Sequence, residues 1–455
     1  MSIWTHNFRG IEVIDTFTPK SCPMNDSHGQ PAVRFAAGHS GLELLAELAG
    51  HNSVTVTGAN PSVGAIGWLT GGGHGPLTSS YGMGVDNLLE ATIVTPKGDI
   101  LVANPCQNSD LFFAIRGGGG GTYGVVLDAV LKTYRSPKVT LYTLGLASTS
   151  QNATQDFWDA MGLLNADLQR LKDGGIQGYY AIVGPPTTSA LSFLGTFFLY
   201  DKPNGTIEEL MAPIEAKLAE KASSLIFQGN ISHADTFWES YTTNFTNEDV
   251  GRGGSAYGSR LMTAESLANA NVTARILAQI GPSNDAKAPN VSFPCSIHFL
   301  TQCSCEQGVL NNPVILGHIV APSSPPTYYP SLVSLNPAWR RTLNHIIVDE
   351  VWPGGIPRTI IDAIYHSVTW NKTEPLRQLS PDTGAYFNEA DANEPDWQHS
   401  FFGENYEKLK EIKKRHDPKG VLWCRMCVGS ERFVEESDGR LCEVRKGGES
   451  TKRFD

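Results

Sequence analysis

The sequence predicts an α+β fold of two domains, and three observations carry that reading. Residues 71–126 hold two glycine runs, GGGHGPLTSSYGMGVDNLLE and FFAIRGGGGGTYGVV, with a hairpin pattern between them. From about Tyr134 the texture changes to alternating strand patterns interleaved with amphipathic helices. Near the C-terminus, the stretch from Tyr386 to Glu431 is dense in aromatic residues and needs a core to join. Strands that pair as hairpins inside a ligand-binding region point to α+β rather than doubly wound topology.

At 455 residues, with 40% hydrophobic and only 18% charged residues, the chain has ample material for a packed core. Its formal net charge of −11 disfavours nucleic acid and anionic membrane as partners, because both require basic surface. No apolar run approaches the length of a membrane-spanning helix.

Taken in order, residues 3–17 read as a hairpin or paired strands. Ser40 caps a helix carrying Leu42, Leu45 and Leu48, which Gly50 ends. Residues 54–57 form a β-branched strand that runs toward the first glycine run. Residues 91–95 and 100–103 are strands joined by the turn Pro96-Lys97-Gly98-Asp99. Residues 110–116 read as a short helix ended by glycines, and residues 125–131 as a strand.

In the second domain, 140–146, 179–183 and 191–200 are strands, and 155–171, 206–222 and 264–280 are helical patterns. Residues 421–423 read as a strand after the stop at 417–420, and the tail from about Ser437 is charged. The expected organisation is therefore 1–135, an inserted domain at 136–368, a return at 369–435, and a tail at 436–455.

Two clusters of bare backbone point to a large phosphate-bearing ligand, since glycine lets main-chain N–H groups approach closely. Gly119, Gly121 and Gly124 formally spell G-x-G-x-x-G. A dinucleotide fingerprint needs a strand before the glycines and a helix after them, whereas here a helix precedes and a strand follows. A nicotinamide-dependent dehydrogenase is thereby disfavoured. No P-loop, G-x-S-x-G or H-E-x-x-H motif occurs, and the twelve histidines form no closely spaced ligand pair, so no metal site is expected.

Eight N-x-[ST] triplets begin at Asn25, Asn152, Asn204, Asn230, Asn244, Asn271, Asn290 and Asn371. Chance would give roughly three or four, so the excess favours a secretory history. Eight cysteines agree with it. Cys424 and Cys427 form a C-x-x-C pair for which disulfide pairing with Cys442 is expected over a redox or zinc motif. The N-terminus shows no signal peptide.

Three stretches, Ser2-Ile-Trp-Thr-His-Asn, residues 71–90 with 116–126, and residues 386–431, together resemble the fungal FAD-linked oxidases of the berberine-bridge-enzyme-like group. Their flavin domain is of the vanillyl-alcohol oxidase and para-cresol methylhydroxylase type. The match spans nearly the whole chain and rests on three motifs in the right order.

The resemblance implies a flavin domain in two subdomains, an inserted substrate domain, and a C-terminal return to the flavin domain. It implies FAD contacts from Gly71, Gly72, Gly73, His74, Gly75, Gly117, Gly118, Gly119, Gly120, Gly121 and Val126, with Tyr386 and Asn388 beside the flavin ring. It also implies hydride transfer from a small molecule, a secondary metabolite or carbohydrate-like alcohol, followed by reoxidation with dioxygen.

Intact members carry, upstream of the Ile-Trp-Thr-His stretch, the pyrophosphate loop whose histidine bonds the flavin. That loop is expected to be missing here, and the second attachment point falls near Asn60, so FAD is expected to bind non-covalently. Two or three lost hydrogen bonds to pyrophosphate, at 1.5–3 kcal/mol each, would cost about 3–9 kcal/mol. The alternative reading is accordingly a flavin-free remnant of the family. The intact protein is expected in the secretory pathway or outside the cell.

The candidates for proton transfer are His345, on a strand-like stretch after Asn336-Pro-Ala-Trp339, then His298 and Tyr257. For His74, shaping the loop or contacting cofactor is expected over catalysis. Glu389 and Asp391 are expected to be structural hydrogen-bond partners.

Overall fold

The computed structural model describes residues 3–22, 29–150, 152–245, 254–283, 313–322, 330–352, 354–436 and 438–444. The first part of the chain contains β1 (Ile11–Phe17), β2 (Gln30–Ala36), β3 (Ser53–Val54), β4 (Leu88–Val94), β5 (Ile100–Ala103), β6 (Val125–Lys132) and β7 (Tyr134–Arg135). Five of these form an antiparallel sheet in the order β1-β2-β6-β4-β5, while β3 pairs with β7.

The β4–β5 connection is the turn that the sequence predicts. Gly98 sits at φ +91°, and Thr95 donates its N–H to the Asp99 carbonyl. One face of this sheet, with Val33, Phe35, Ala91 and Ala129, packs on the helices Gly41–Ala49 and Ser109–Ala114.

The second half is built on β8 (Val139–Ser148), β9 (Gln177–Val183), β10 (Ser192–Tyr200), β11 (Leu225–Ala234), β12 (Gly254–Thr263), β13 (Val314–Ile319) and β14 (Thr342–Trp352). They form one antiparallel sheet in the order β11-β8-β10-β9-β13-β14-β12. Side chains alternate between the faces of a strand. One face, with Tyr180, Ile182, Phe193, Phe197 and Ile346, is covered by helices Thr154–Asp173 and Ala270–Ile280 through Phe157, Met161, Leu168 and Leu277.

The register defines the other face. Thr196 pairs with Tyr179, Tyr179 with His318, His318 with His345, and Tyr257 with Asp349. Directly opposed residues of antiparallel strands share a face. Tyr179, Thr196, Tyr257, Ser259, His318, His345 and Asp349 therefore line the side opposite those two helices, where the helix Phe237–Asn244 and the following Phe245 cover the end near Tyr179 and Phe198.

The C-terminal aromatic stretch finds its core in the first half. Ala385, Phe401, Phe402, Tyr406, Leu409 and Ile412 pack with Phe112, Phe113, Ile115 and Tyr123, whereas Leu376, just before them, still packs with the second half. Tyr406 also donates its hydroxyl to Glu431 at 2.6 Å, tying the ends of this segment together.

Several local expectations are corrected. Residues 3–10 are not a strand: a turn bond from Phe8 N–H to the Thr5 carbonyl and Gly10 at φ +136° delay strand geometry until Ile11. Of the expected strand 54–57 only Val54 pairs among the described residues, because the partner supplied there is the two-residue β7. The pattern at 264–280 is two helices, interrupted where the Asn269 side chain accepts from the Val272 N–H and caps the second.

Residues 421–423 form a loop whose N–H groups at Val421 and Leu422 donate to the Asp417 carboxylate. Cys424 pairs with Cys427 and not with Cys442, which is a free thiol on the final strand, β16 (Leu441–Glu443), itself paired with β15 (Phe433–Glu435). A second disulfide joins Cys22 to Cys106. Cys295, Cys303 and Cys305 lie outside the described residues, as does the candidate His298.

Candidate active site

The first glycine run delivers His74 to the face of the large sheet opposite the helices Thr154–Asp173 and Ala270–Ile280, beside His318 and His345. Trp68, from the helix Ala65–Thr70, donates its indole N–H to the His74 carbonyl at 2.7 Å and so fixes the backbone there. Next to it, Gly75 is pressed against Thr57, where any Cβ would stand 1.7 Å from the carbonyl oxygen. The His74 ring lies 4.9 Å from the Tyr386 ring, 5.1 Å from His318 and 5.9 Å from His345.

Glu389 closes this group from the opposite direction, at the end of the short turn Phe387–Glu389. Its Oε2 is 3.0 Å from His74 Nε2 and 3.7 Å from Nδ1 of both His318 and His345. Burial pushes the Glu389 carboxyl up, but the charge and hydrogen bond of the neighbouring His74 outweigh it and hold the pKa below the usual range. Burial drives His318 and His345 well below the ordinary histidine value, so both are neutral at physiological pH.

Tyr386 occupies the floor of the group. Its hydroxyl accepts from the Asn388 amide at 2.8 Å, and burial together with the Glu389 charge pushes the phenol strongly upward. The phenol thus keeps its proton and can donate it.

Farther along the same face, burial and then the charge of Glu350 push the Asp349 carboxyl up to about 7. Across the β12–β14 pair, burial and the charge of Asp349 raise Tyr257. Among the described residues, His318 and His345 have no hydrogen-bond partner on either ring nitrogen, and Tyr179 Oη, Thr196 Oγ1, Ser259 Oγ and Asp349 Oδ1 have none either. Buried polar groups are ordinarily paired, so this face is built to meet something other than protein.

His345 and Tyr257 are therefore where the sequence analysis expected a substrate-facing group. His74 and Glu389, expected to shape structure, form a direct pair at its centre. The expectation that no histidines gather is corrected: His74, His318, His345 and Glu389 offer ligand atoms all within 4.8 Å of one another. They come from four separate segments, so sequence spacing carries no trace of them. His318 and Asp349 were missed, although a polar residue on alternate positions of an otherwise apolar strand was the available signal.

The remaining glycines divide by surroundings. A Cβ at Gly71 would collide with Asn388, at Gly72 with Leu335, at Gly73 with Trp68, and at Gly117 and Gly118 with backbone of Leu335 and Ala114. These five pack the loops onto the protein itself. Gly119 abuts Phe387 and Gly120 abuts Thr70, while a Cβ on Gly64, Gly67 or Gly121 meets nothing within 4 Å. Gly64, Gly67 and Gly121 are exposed. Val126 is buried in β6, paired with Ile93.

Comparison with known proteins identifies the ligand for which such an open glycine strip is suited. Residues 10–104 match the FAD binding domain family, and residues 385–428 match the family "Berberine and berberine like". An uncharacterized FAD-linked oxidoreductase of Arthroderma benhamiae is 32% identical over 452 residues, covering 98% of this chain and 72% of that protein. The FAD-linked oxidoreductase patO of Aspergillus clavatus is 32% identical over 449 residues, with 98% and 71% covered. The structure of the VAO-type flavoprotein MtVAO713 from Myceliophthora thermophila C1 superposes with a TM-score of 0.85 at 29% identity, covering 97% of this chain and 74% of that one.

The residues present fit FAD. The strip of Gly64, Gly67 and Gly121 leaves room where side chains would intrude on a flat ligand, and Asn388 and Tyr386 lie against Gly71 and Gly72 of the first glycine run. With the fold, both family matches and full-length relatives in agreement, the chain belongs to the FAD-linked oxidoreductases of the berberine-like, vanillyl-alcohol-oxidase-type flavoprotein family.

Proposed function

We propose that this oxidoreductase is an oxidase of a small hydroxyl-bearing molecule, a secondary metabolite or carbohydrate-like alcohol of a fungal biosynthetic pathway. The reading is supported above all by the row of buried, unpaired polar atoms that faces Tyr386 and Glu389. An apolar substrate would leave those groups unsatisfied at about 1–3 kcal/mol each, whereas a hydroxylated one pairs with them. FAD, when bound, supplies the two-electron acceptor, and its reoxidation by dioxygen releases hydrogen peroxide.

The chain's own residues orient the substrate and handle its proton. Glu389 is ionised and bonded to His74 at 3.0 Å, which suits it to take the hydroxyl proton as hydride leaves the adjacent carbon. The hydrogen bond from His74 holds the Glu389 carboxylate in position for that transfer. Neutral His318 and His345 and protonated Tyr386 offer hydrogen bonds that hold the substrate oxygen in place.

FAD is proposed to bind this chain without a covalent bond. Asn60, at the position of the family's cysteinyl attachment, offers no thiol, and its side chain accepts from the Ser62 N–H and hydroxyl at 2.9 and 2.8 Å. The proposed partners are a small-molecule substrate and dioxygen, with nucleic acid and membrane disfavoured by the net charge of −11. No described helix is long and apolar enough to cross a membrane. A secretory or extracellular glycoprotein is proposed from the sequons, of which Asn152, Asn204, Asn230, Asn271 and Asn371 are exposed.

The test is a cofactor spectrum and a peroxide assay on the purified chain. Bands at about 370 and 450 nm, lost to the supernatant on acid precipitation, together with peroxide production from polyol or phenolic-alcohol panels, are the expected result. A protein that stays colourless with added FAD rejects the reading in favour of a flavin-free remnant. Gly67→Leu checks the cradle itself: helix propensity rises by roughly 1 kcal/mol, so the fold is retained while FAD affinity falls.

A further inference from the structure

We propose that His74, His318, His345 and Glu389 form a binding site for one divalent transition-metal ion of the zinc class. The inference does not rest on the flavin reading, since all four ligands belong to the protein and meet without any cofactor between them.

Geometry supports it first. Zinc takes imidazole nitrogen and carboxylate oxygen at about 2.0–2.2 Å, which sets tetrahedral ligand atoms roughly 3.3–3.5 Å apart. The Glu389 oxygen lies 3.0 Å from His74 Nε2 and 3.7 Å from both His318 Nδ1 and His345 Nδ1, and all four ligand atoms fall within 4.8 Å of one another. Small side-chain rotations therefore close a tetrahedral shell. Mixed imidazole and carboxylate sets suit zinc, cobalt and nickel better than magnesium or calcium, which prefer oxygen alone.

The unpaired atoms are the second, independent observation. His318 and His345 are 5% and 0% exposed, yet neither ring has a hydrogen bond on either nitrogen among the described residues. The hydrogen bond between His74 and Glu389 accounts for that pair, whereas without substrate these two rings have no protein partner among the described residues. A bound ion satisfies one nitrogen on each, and the other is left for ordered water.

The rings are also held where they are needed. His318 and His345 occupy opposed positions of β13 and β14, so the sheet fixes their spacing, and Trp339 packs 5.6 Å from the His345 ring. Such support from rigid elements is what metal sites require. Binding would engage Glu389 and His74 together, so the ion would compete with their role as proton acceptor and inhibit turnover.

The test uses the full chain, stripped with chelator and then mixed with Zn²⁺ or Co²⁺ near neutral pH. One zinc per chain retained through gel filtration, and visible bands of four-coordinate Co²⁺ displaced by Zn²⁺, are expected. His318→Ala/His345→Ala should weaken uptake at least about 100-fold, while His51→Ala, on a distant exposed histidine, keeps it. Should the double variant not fold by circular dichroism, the near-isosteric Glu389→Gln gives the same reading of weakened uptake.

Substoichiometric zinc in the parent protein, or full uptake by the folded ligand variants, overturns the proposal. The flavin reading fails separately: a colourless protein that takes one zinc keeps the metal site and loses the oxidase, and a yellow protein that takes none does the reverse.

Discussion

The two faces of the seven-stranded sheet use the same kinds of residues to opposite ends. On the helix-covered face, Asn344 donates to Asn165 Oδ1 at 3.0 Å and Tyr180 Oη at 2.8 Å, and Asn165 donates to the Met161 carbonyl. Their immediate neighbours in sequence, His345 and Tyr179, point to the other face and have no hydrogen bond from the ring nitrogens or the hydroxyl. Burial is equally deep on both sides. The difference is that the Asn344 amide N–H, Asn165 and Tyr180 are bonded to one another, leaving only Asn344 Oδ1 of that trio unpaired, whereas both ring nitrogens of His345 and the Tyr179 hydroxyl have no protein partner among the described residues.

The largest effect should come from the centre of the open face. Glu389→Gln removes the proton acceptor while preserving size, and kcat/KM should fall by about 10²–10⁴ with the flavin spectrum retained. If activity is unchanged, the proton leaves by another route and Asp349 becomes the leading alternative.

Asp349 sharpens the comparison through pH. Unfolded, its carboxyl has an ordinary value of 3.8; folded, it is pushed up to about 7. The folded state therefore binds the extra proton between those values, so this group lowers stability as pH rises through the window, with the full penalty present above about 7. Asp349→Asn should raise the unfolding free energy at pH 8, read by denaturant titration, by at most about 4 kcal/mol, and the gain should vanish below about pH 4. A pH-independent gain would show that the carboxyl is paired by something in solution.

The helix face should behave the other way. Asn344→Ala removes the donor shared by Asn165 and Tyr180, which keep their own bond at 3.2 Å, and should cost about 0.5–1.5 kcal/mol in chemical denaturation. Its kcat/KM should stay within about twofold of the parent. Comparable losses of turnover from Asn344→Ala and Glu389→Gln would erase the distinction between the faces.

Much of this architecture was legible because it is local. The β4–β5 turn, the strands 140–146, 179–183 and 191–200, and the long helix 155–171 all follow from turn residues and periodicity, and each is present to within a few residues. The failures share a cause. Residues 54–57 and 421–423 have strand-like composition, but a strand exists only where a partner is supplied, and none is supplied along their length. The Cys424–Cys427 pairing was likewise decided by where the chain placed Cys442, on a separate hairpin.

The sequence by itself determined the class of ligand and the order of the parts: two glycine runs, an inserted sheet domain, and an aromatic segment returning to the first core. Those are properties of contiguous residues and their spacing. Only the tertiary structure decided which polar residues work together, because His74, His318, His345 and Glu389 are brought within 4.8 Å by sheet register and two loops rather than by proximity in the chain. It also turned His74 and Glu389 from supporting roles into the centre of the site. A carboxylate's chemistry depends on the charges and burial around it, and those exist only once the chain has folded.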